Sequence, residues 1–231
     1  MTDAHFHRNT YATFLGGDGV EFRFAGVHPW QAGEADALQL MEGVGSVLKE
    51  DSRAGVGEIG LDRLRTKTIP DAQRRIFARQ LEMAAEYRRP VVLHGAKCWG
   101  EVVAACRPYK GLIPAFLFHG FSRSAGLLPE IFGMNGFVSI GPALLNDHAV
   151  NYRELIAQLP ADRILAETDM PDDDPGTNRL QTLSDLCAKL AELRGLTLPE
   201  LAAETETNVL RFTANLRNGV AESPARAAVA V

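Results

Sequence analysis

A His-x-His pair lies close to the start of the chain, in the stretch Thr2-Asp3-Ala4-His5-Phe6-His7. Side chains alternate between the two faces of an extended strand, so His5 and His7 point in the same direction and Asp3 lies on their face. Neutral imidazole nitrogen binds zinc and similar divalent ions. The pair therefore forms half of a metal site if the rest of the chain supplies carboxylates and further histidines.

Further polar residues of this kind follow short apolar stretches that read as strands. They are His28, Glu58, His94, His119 and Asp169, and of the 6 histidines only His148 lies elsewhere, in a predicted loop. In a barrel of parallel strands the carboxyl ends meet on one face, where active sites lie. Buried carboxylates beside apolar strands need compensation, and a divalent cation supplies it. The pattern predicts a metal centre, with Glu167 on the same strand face as Asp169.

Strands and helices alternate along the chain with short connections. Strands are predicted at 21–27, 54–62, 90–94, 112–118, 136–141 and 163–169, and helices at 35–50, 71–89, 99–106, 125–132, 152–159, 180–194 and 198–212. This order favours parallel strands covered by helices. We prefer a closed barrel to an open doubly wound sheet, because no Gly-rich nucleotide turn follows the first strand.

The predicted fold class is thus α/β, a TIM-barrel-like (β/α) barrel of seven to eight strands. One unit is reduced, because residues 8–18 read as a short turn-rich segment, and the interval between His7 and Phe22 is too short for a helical crossover. Residues 1–213 are predicted to form a single domain. Residues 214–231 are predicted to be a flexible tail, since their small Ala/Val-rich sequence shows no periodicity.

Composition narrows the functional classes. The 231 residues are 46% hydrophobic and carry a net charge of -5, which is typical of a globular protein and argues against electrostatic coating of long nucleic acids. Contact with a few phosphates through metal ions stays compatible with this charge. The 3 cysteines lack Cys-x-x-Cys spacing, and neither a signal peptide nor a membrane-spanning apolar run is evident. We expect a cytoplasmic protein without a membrane partner, and make no prediction of its oligomeric state.

The motifs taken together resemble the TatD family of metal-dependent hydrolases, within the amidohydrolase-like barrels. The similar stretches occur in the family's order at residues 2–7, 26–29, 57–62, 90–94, 118–122 and 167–171, and the likeness extends to about residue 213. The chain looks like a short member. The resemblance implies metal-dependent phosphodiester hydrolysis, chiefly deoxyribonuclease activity, with two divalent ions (Mg, Mn or Zn).

The resemblance also implies a ligand set. One ion would be held by His5, His7, Glu58 and Asp169, and a second by Glu58, His94 and His119, with Glu58 as the bridge. Two ions ~4 Å apart would polarise the scissile bond and lower the pKa of a water. The predicted catalytic residues are Asp169, as general base or as a ligand alone, and Glu58.

Residues beside the ligands are candidates for substrate binding. They are His28, Trp30, Lys97 and Arg123; the last two each follow a ligand histidine in a loop, and an exposed tryptophan can stack on a base or sugar. Trp30 stands where the family often has a further histidine, and the segments after His94 and Asp169 also depart from its pattern. The resemblance therefore supports metal binding by this chain more directly than it identifies the substrate.

Three functions stay open at this point. The first is a phosphodiesterase or deoxyribonuclease that acts on DNA ends or short single strands. The second is hydrolysis of a small amide, ester or lactone, which the acidic stretch Asp172-Asp173-Asp174 favours because it would repel a polyanion. The third is a metal-binding protein without turnover.

Overall fold

The computed structural model describes residues 1–9, 12–17, 20–122, 125–146, 148, 150–171 and 178–217. In this part of the chain eight strands form one sheet in sequential order, β1 to β8. The strands are β1 Asp3–Asn9, β2 Ala12–Gly17, β3 Val20–Ala25, β4 Gly55–Asp62, β5 Val91–Ala96, β6 Phe116–Phe118, β7 Gly136–Ile140 and β8 Ile164–Ala166. The α-helices are α1 Ala37–Glu50, α2 Asp71–Glu86, α3 Trp99–Cys106, α4 Leu128–Gly133, α5 Val150–Ile156, α6 Arg179–Arg194, α7 Leu198–Phe212 and α8 Ala214–Arg217.

The two outer strands of the sheet approach each other and nearly close a barrel. His7 N donates to Met170 O at 3.0 Å, and Asp169 N donates to His5 O at 2.9 Å. These bonds join β1 to the segment that follows β8, and a parallel bridge pairs His7 with Pro171. The predicted TIM-barrel-like (β/α) fold is thereby confirmed.

Strand β2 differs from the prediction for this part of the chain. Residues 8–18 were predicted to be turn-rich, whereas Ala12–Gly17 pairs antiparallel with both β1 and β3. The prediction was wrong because this short stretch is held in extended form by its two neighbours, a tertiary effect that overrides weak local preference. An antiparallel strand between β1 and β3 leaves those two strands parallel, as a helical crossover would.

Alternation along the strands separates an outer from an inner face. Two separate hydrophobic clusters result. Val91 and Leu93 belong to the larger one, which lies between the strands and the helices, whereas Val92 belongs to a smaller one in the barrel interior. This interior is filled by apolar residues from most strands and closed by α7 and α8: Leu15, Phe22, Phe24, Val92, Leu117, Phe137, Leu165, Val209, Phe212 and Leu216. The rings of Phe24 and Phe212 stack with centroids 5.8 Å apart.

A polar layer lies above this apolar interior. Two residues beyond Val92, Leu117, Phe137 and Leu165 the interior positions are occupied by His94, His119, Ser139 and Glu167. The last three of these side chains are buried. The barrel interior therefore changes from apolar to polar over two residues of each strand, at the carboxyl ends of the strands.

The helices follow local signals closely. Helix α7 begins with a capping box between Thr197 and Glu200, and α6 ends at Gly195 in the left-handed conformation with φ 67°. Helix α8 occupies the first four residues of the segment predicted to be a tail, with Leu216 buried, and residues 218–231 lie outside the described part. Within the described residues, no helix is both long and apolar enough to cross a membrane.

Candidate metal centre

Glu58 occupies the centre of the polar layer. It lies in β4 and its carboxylate is only 6% exposed. Gly60, two residues further on, has a φ of +153°, and a Cβ at this position would lie 2.0 Å from the carbonyl oxygen of His94. Only glycine permits this approach of β4 to β5, which places Glu58 beside His94.

One oxygen of Glu58 faces three imidazoles. Oε1 lies 2.6 Å from His94 Nδ1 and 2.7 Å from His119 Nε2. His28 Nε2 is at 3.5 Å from the same oxygen. These rings come from β5, from the residue after β6 and from the segment after β3, so three strand ends meet at this atom.

The other oxygen faces the N-terminal histidines. Oε2 lies 3.4 Å from His5 Nε2 and 3.9 Å from His7 Nε2. Asp169 completes this side, with Oδ1 3.1 Å from His7 Nε2 and 3.4 Å from His5 Nε2. Asp169 has a φ of 53°, and its side chain is 47% exposed. The structure thus brings the six predicted ligands into one cluster, with His28 at its edge.

His5 is the deepest of these histidines. It is 1% exposed, and among the described residues neither Nδ1 nor Nε2 has a hydrogen-bond partner of good geometry. Unpaired buried polar atoms are costly, and a metal ion at Nε2, which lies 3.4 Å from both Glu58 Oε2 and Asp169 Oδ1, would supply the missing partner. Three-residue sets whose ligand atoms lie within 4.8 Å of one another occur here: His5 with His119 and Asp169, His5 with His7 and Glu58, and His28 with Glu58 and His94. The donor set suits a divalent ion.

The electrostatics of the cluster favour positive charge. Burial raises the pKa of Glu58, but the positive charge of His119, the hydrogen bond from His119 and the neighbouring imidazoles of His28 and His5 outweigh it and hold the pKa well below its usual range. Burial raises the pKa of Asp169 as well, but the adjacent imidazole of His5 and the hydrogen bond from His7 outweigh it and hold this pKa below its usual range. Both carboxylates are therefore ionised and need a cation or protonated imidazoles beside them.

The histidines show the complementary effect. Burial and the charge of His119 lower the pKa of His5, yet the carboxylates of Asp169 and Glu58, each 3.4 Å from Nε2, raise it to about 9. The pKa values of His94 and His119 are also raised, because neighbouring carboxylates outweigh burial. Without metal, protons on the imidazoles balance the carboxylates, and a bound divalent ion would replace those protons.

A buried aspartate joins the first strand to the last. Asp3 is fully buried; its Oδ1 accepts from the backbone N–H groups of Thr168 at 3.0 Å and His5 at 3.3 Å. Its Oδ2 accepts from Thr168 Oγ1 at 2.7 Å and from Arg179 at 2.9 Å. Asp3 thereby holds His5 in register with Asp169, which follows Thr168.

Two further buried carboxylates contact His94 and His119, the histidines next to Glu58 Oε1, from the side opposite to Glu58. Asp62, 1% exposed, has Oδ2 at 3.0 Å from His94 Nε2, and Glu167 has Oε1 at 3.4 Å from His119 Nδ1. Burial raises the pKa of Asp62, but the hydrogen bonds from His94, Leu64 and Trp30 bring it to about 2. No role for Asp62 is predicted from the sequence, and Glu167 is noted there only because it shares a strand face with Asp169. The signal that could identify both is an acidic residue inside an apolar strand.

The predicted substrate residues lie in different surroundings. His28 is part of the cluster. Trp30 is 46% exposed, with its ring 4.8 Å from that of His28 and the Arg65 guanidinium 3.6 Å from its centroid. Lys97 is exposed directly after β5. Arg123 and the stretch Asp172-Asp173-Asp174 lie outside the described residues.

An α/β barrel whose strand ends gather histidines around a buried carboxylate has the architecture of metal-dependent hydrolases. The family model described as TatD related DNase matches residues 3–214. The chain therefore belongs to the TatD related DNase family. Family membership confirms the predicted resemblance and the class of metal-dependent hydrolase.

Individual relatives agree with this assignment. The chain is 30% identical over 206 residues to the 3'-5' ssDNA/RNA exonuclease TatD of Klebsiella pneumoniae, which covers 85% of this chain and 78% of that protein. It is 28% identical over 196 residues to the uncharacterized metal-dependent hydrolase YabD of Bacillus subtilis, covering 81% and 75%. The crystal structure of the TatD homologue YJJV from Escherichia coli K12 matches with a TM-score of 0.68 and 25% identity, over 82% of this chain and 75% of that chain.

Proposed function

We propose that this protein is a phosphodiesterase that uses two divalent ions and acts on DNA ends or short single strands. The observation that carries the proposal is the division of the Glu58 carboxylate between two groups of imidazoles. His94 and His119 face Oε1, and His5 and His7 face Oε2. A carboxylate that has metal-ligating imidazole nitrogens on both sides is placed to bridge two ions.

The ligand groups proposed from the resemblance fit this geometry. His5, His7, Glu58 and Asp169 would hold one ion, and Glu58, His94 and His119 the other. Imidazole nitrogen favours zinc and carboxylate oxygen suits magnesium and manganese, so all three metals belong in the test. When bound, such ions polarise a phosphoryl oxygen and make water more acidic.

The two carboxylates of the cluster have different exposure, which supports different roles. Glu58 is 6% exposed and is surrounded by imidazoles, as a bridging ligand should be. Asp169 is 47% exposed, so its carboxylate is the one that an attacking water can reach. We assign Asp169 as the general base that removes the proton from this water.

His28 is proposed to contact substrate because of its tautomer. The backbone N–H of Trp30 donates to His28 Nδ1 at 3.2 Å, so in the neutral ring Nε2 carries the hydrogen. Nε2 is then a donor, suited to a phosphate oxygen. Trp30, which is exposed and packs against His28, offers a surface for base stacking, and Lys97, exposed directly after β5, offers a positive charge. Arg123 stays a prediction from the sequence.

The nature of the substrate is supported by the relatives, since the protein of Klebsiella pneumoniae is named an exonuclease for single-stranded DNA and RNA. The cytoplasmic location stays a prediction as well; the free and buried state of Cys98, Cys106 and Cys187 is compatible with it.

The test is cleavage of single-stranded oligonucleotides labelled at the 5' or the 3' end, after addition of magnesium, manganese or zinc to metal-free protein. We expect metal-dependent shortening, which His5→Ala abolishes. His148→Ala is the matched control, because His148 is exposed and lies outside the cluster, and this variant should retain activity. Absence of cleavage by the metal-loaded protein would refute the phosphodiesterase proposal. Chromogenic esters and lactones in the same assay test the small-substrate alternative, and bound metal without any turnover identifies the third.

A further inference from the structure

We propose that Asp62 is a positioning residue that holds His94 in the tautomer required for metal binding and also fixes Trp30 at the mouth of the site. The inference rests on the proposed metal centre. It concerns a residue at the end of β4 that is not itself among the proposed ligands.

The carboxylate of Asp62 is rigidly held. Asp62 is 1% exposed; its Oδ1 accepts from the backbone N–H of Leu64 at 2.6 Å, and its own N–H donates to Gln73 Oε1 at 2.9 Å. These bonds leave Oδ2 directed at two side chains. It accepts from His94 Nε2 at 3.0 Å and from Trp30 Nε1 at 2.8 Å.

The contact with His94 determines which ring nitrogen is available to a metal. An ionised carboxylate only accepts hydrogen bonds, so His94 Nε2 must carry the hydrogen. The other nitrogen, Nδ1, lies 2.6 Å from Glu58 Oε1, on the side of the proposed second ion, so its proton is the one that the ion would displace. A carboxylate behind a ligating imidazole fixes its orientation and increases its basicity.

The contact with Trp30 links the same oxygen to the substrate face. Indole nitrogen is a donor only, so the bond to Asp62 fixes the position of the ring. The backbone N–H of Trp30 also bonds to His28, and the rings of the two residues meet edge to face with centroids 4.8 Å apart. Asp62 therefore positions both a metal ligand and the exposed aromatic ring beside it.

The test combines metal titration with NMR of the full chain labelled with ¹⁵N-histidine. In the zinc-loaded protein we expect one imidazole with its hydrogen on Nε2 and zinc on Nδ1, identified as His94 by its loss in His94→Gln. Asp62→Asn should remove this signature and weaken the binding of one zinc ion by about 10- to 100-fold, with little change for the other ion. Trp30→Phe keeps the ring but loses the N–H, and should leave both zinc affinities nearly unchanged while raising KM.

The outcomes separate this inference from the proposed function. If wild-type protein binds two zinc ions and Asp62→Asn binds both with the same affinities, the role of Asp62 is refuted and the metal centre stands. If Asp62→Asn does not fold, the wild-type spectrum decides: a hydrogen on Nδ1 of His94 overturns the inference, and a hydrogen on Nε2 supports it. If wild-type protein binds no divalent ion, both proposals fail.

Discussion

The metal-free protein should lose stability as pH rises through the range in which the histidines of the cluster lose their protons. The pKa of His5 is about 9 in the folded protein, against an ordinary value of 6.5. A folded pKa above the unfolded one means that the protonated form stabilises the fold. This contribution is complete below pH 6.5 and is lost as pH rises through 9.

The magnitude follows from the two pKa values. The full contribution of His5 to the free energy of unfolding is about 3 kcal/mol, of which roughly 2 kcal/mol disappears between about pH 6 and pH 8. Cysteine thiols do not contribute to this change, because their ordinary pKa lies above this pH range. His94 and His119, whose pKa values are also raised, change stability in the same direction.

Urea denaturation at both pH values in the presence of EDTA measures this effect. His5→Gln should reduce the pH dependence, whereas His148→Gln, which alters an exposed histidine outside the cluster, should retain it. A saturating divalent ion should reverse the trend, because the ion competes with protons for the imidazoles and binds more tightly at higher pH. Metal-free protein that is equally stable or more stable at the higher pH would refute this account of the cluster.

Three further substitutions test particular contacts. Glu58→Gln keeps the side-chain size but removes the negative charge between the imidazoles, so calorimetry should detect neither ion with wild-type affinity, and retention of both would contradict the bridging role. Gly60→Ala places a Cβ 2.0 Å from the His94 carbonyl oxygen, and thermal denaturation should show a loss of about 1–3 kcal/mol or more together with weaker metal binding. Thr197→Ala removes the capping box with Glu200 and should cost about 1 kcal/mol with unchanged metal affinity; a changed affinity would show that the site depends on global stability.

Elements with strong local signals could be predicted from the sequence. Helix α7 has the predicted bounds 198–212, since a capping threonine precedes it and apolar residues recur at helical spacing. Helix α6 ends before Gly195, as predicted. Strand β6 is shorter than the predicted 112–118, because Pro114 lacks an N–H for the sheet.

Strand β2 could not be predicted in this way. Its sequence Ala12-Thr13-Phe14-Leu15-Gly16-Gly17 contains two glycines and is too short to show convincing alternation. It is extended because β1 and β3 pair with it on both sides, along a register that joins Phe14 to Phe6 and to Arg23. Such long-range pairing leaves little trace in the local sequence.

The candidate metal centre, too, could be predicted from the sequence only in part. Histidines at strand ends are rare enough to be recognised one by one, and the structure brings the predicted ones together. The carboxylates behind them are harder to identify, because Asp3, Asp62 and Glu167 are only three among 29 acidic residues. Their function depends on the partners that face them across the barrel, and these partners come from distant parts of the chain.

The strands that carry the proposed ligands explain why the site can form although one helical crossover is missing from the barrel. The ligands come from β1, β4, β5, the residue after β6 and the segment after β8, and β2 supplies none of them. Because β2 runs antiparallel between β1 and β3, both neighbours still end on the same face. His5, His7 and His28 therefore reach Glu58 as they would with a helix between the strands. The shortened unit contributes to closing the barrel and not to supplying ligands, so its replacement leaves the geometry of the cluster intact.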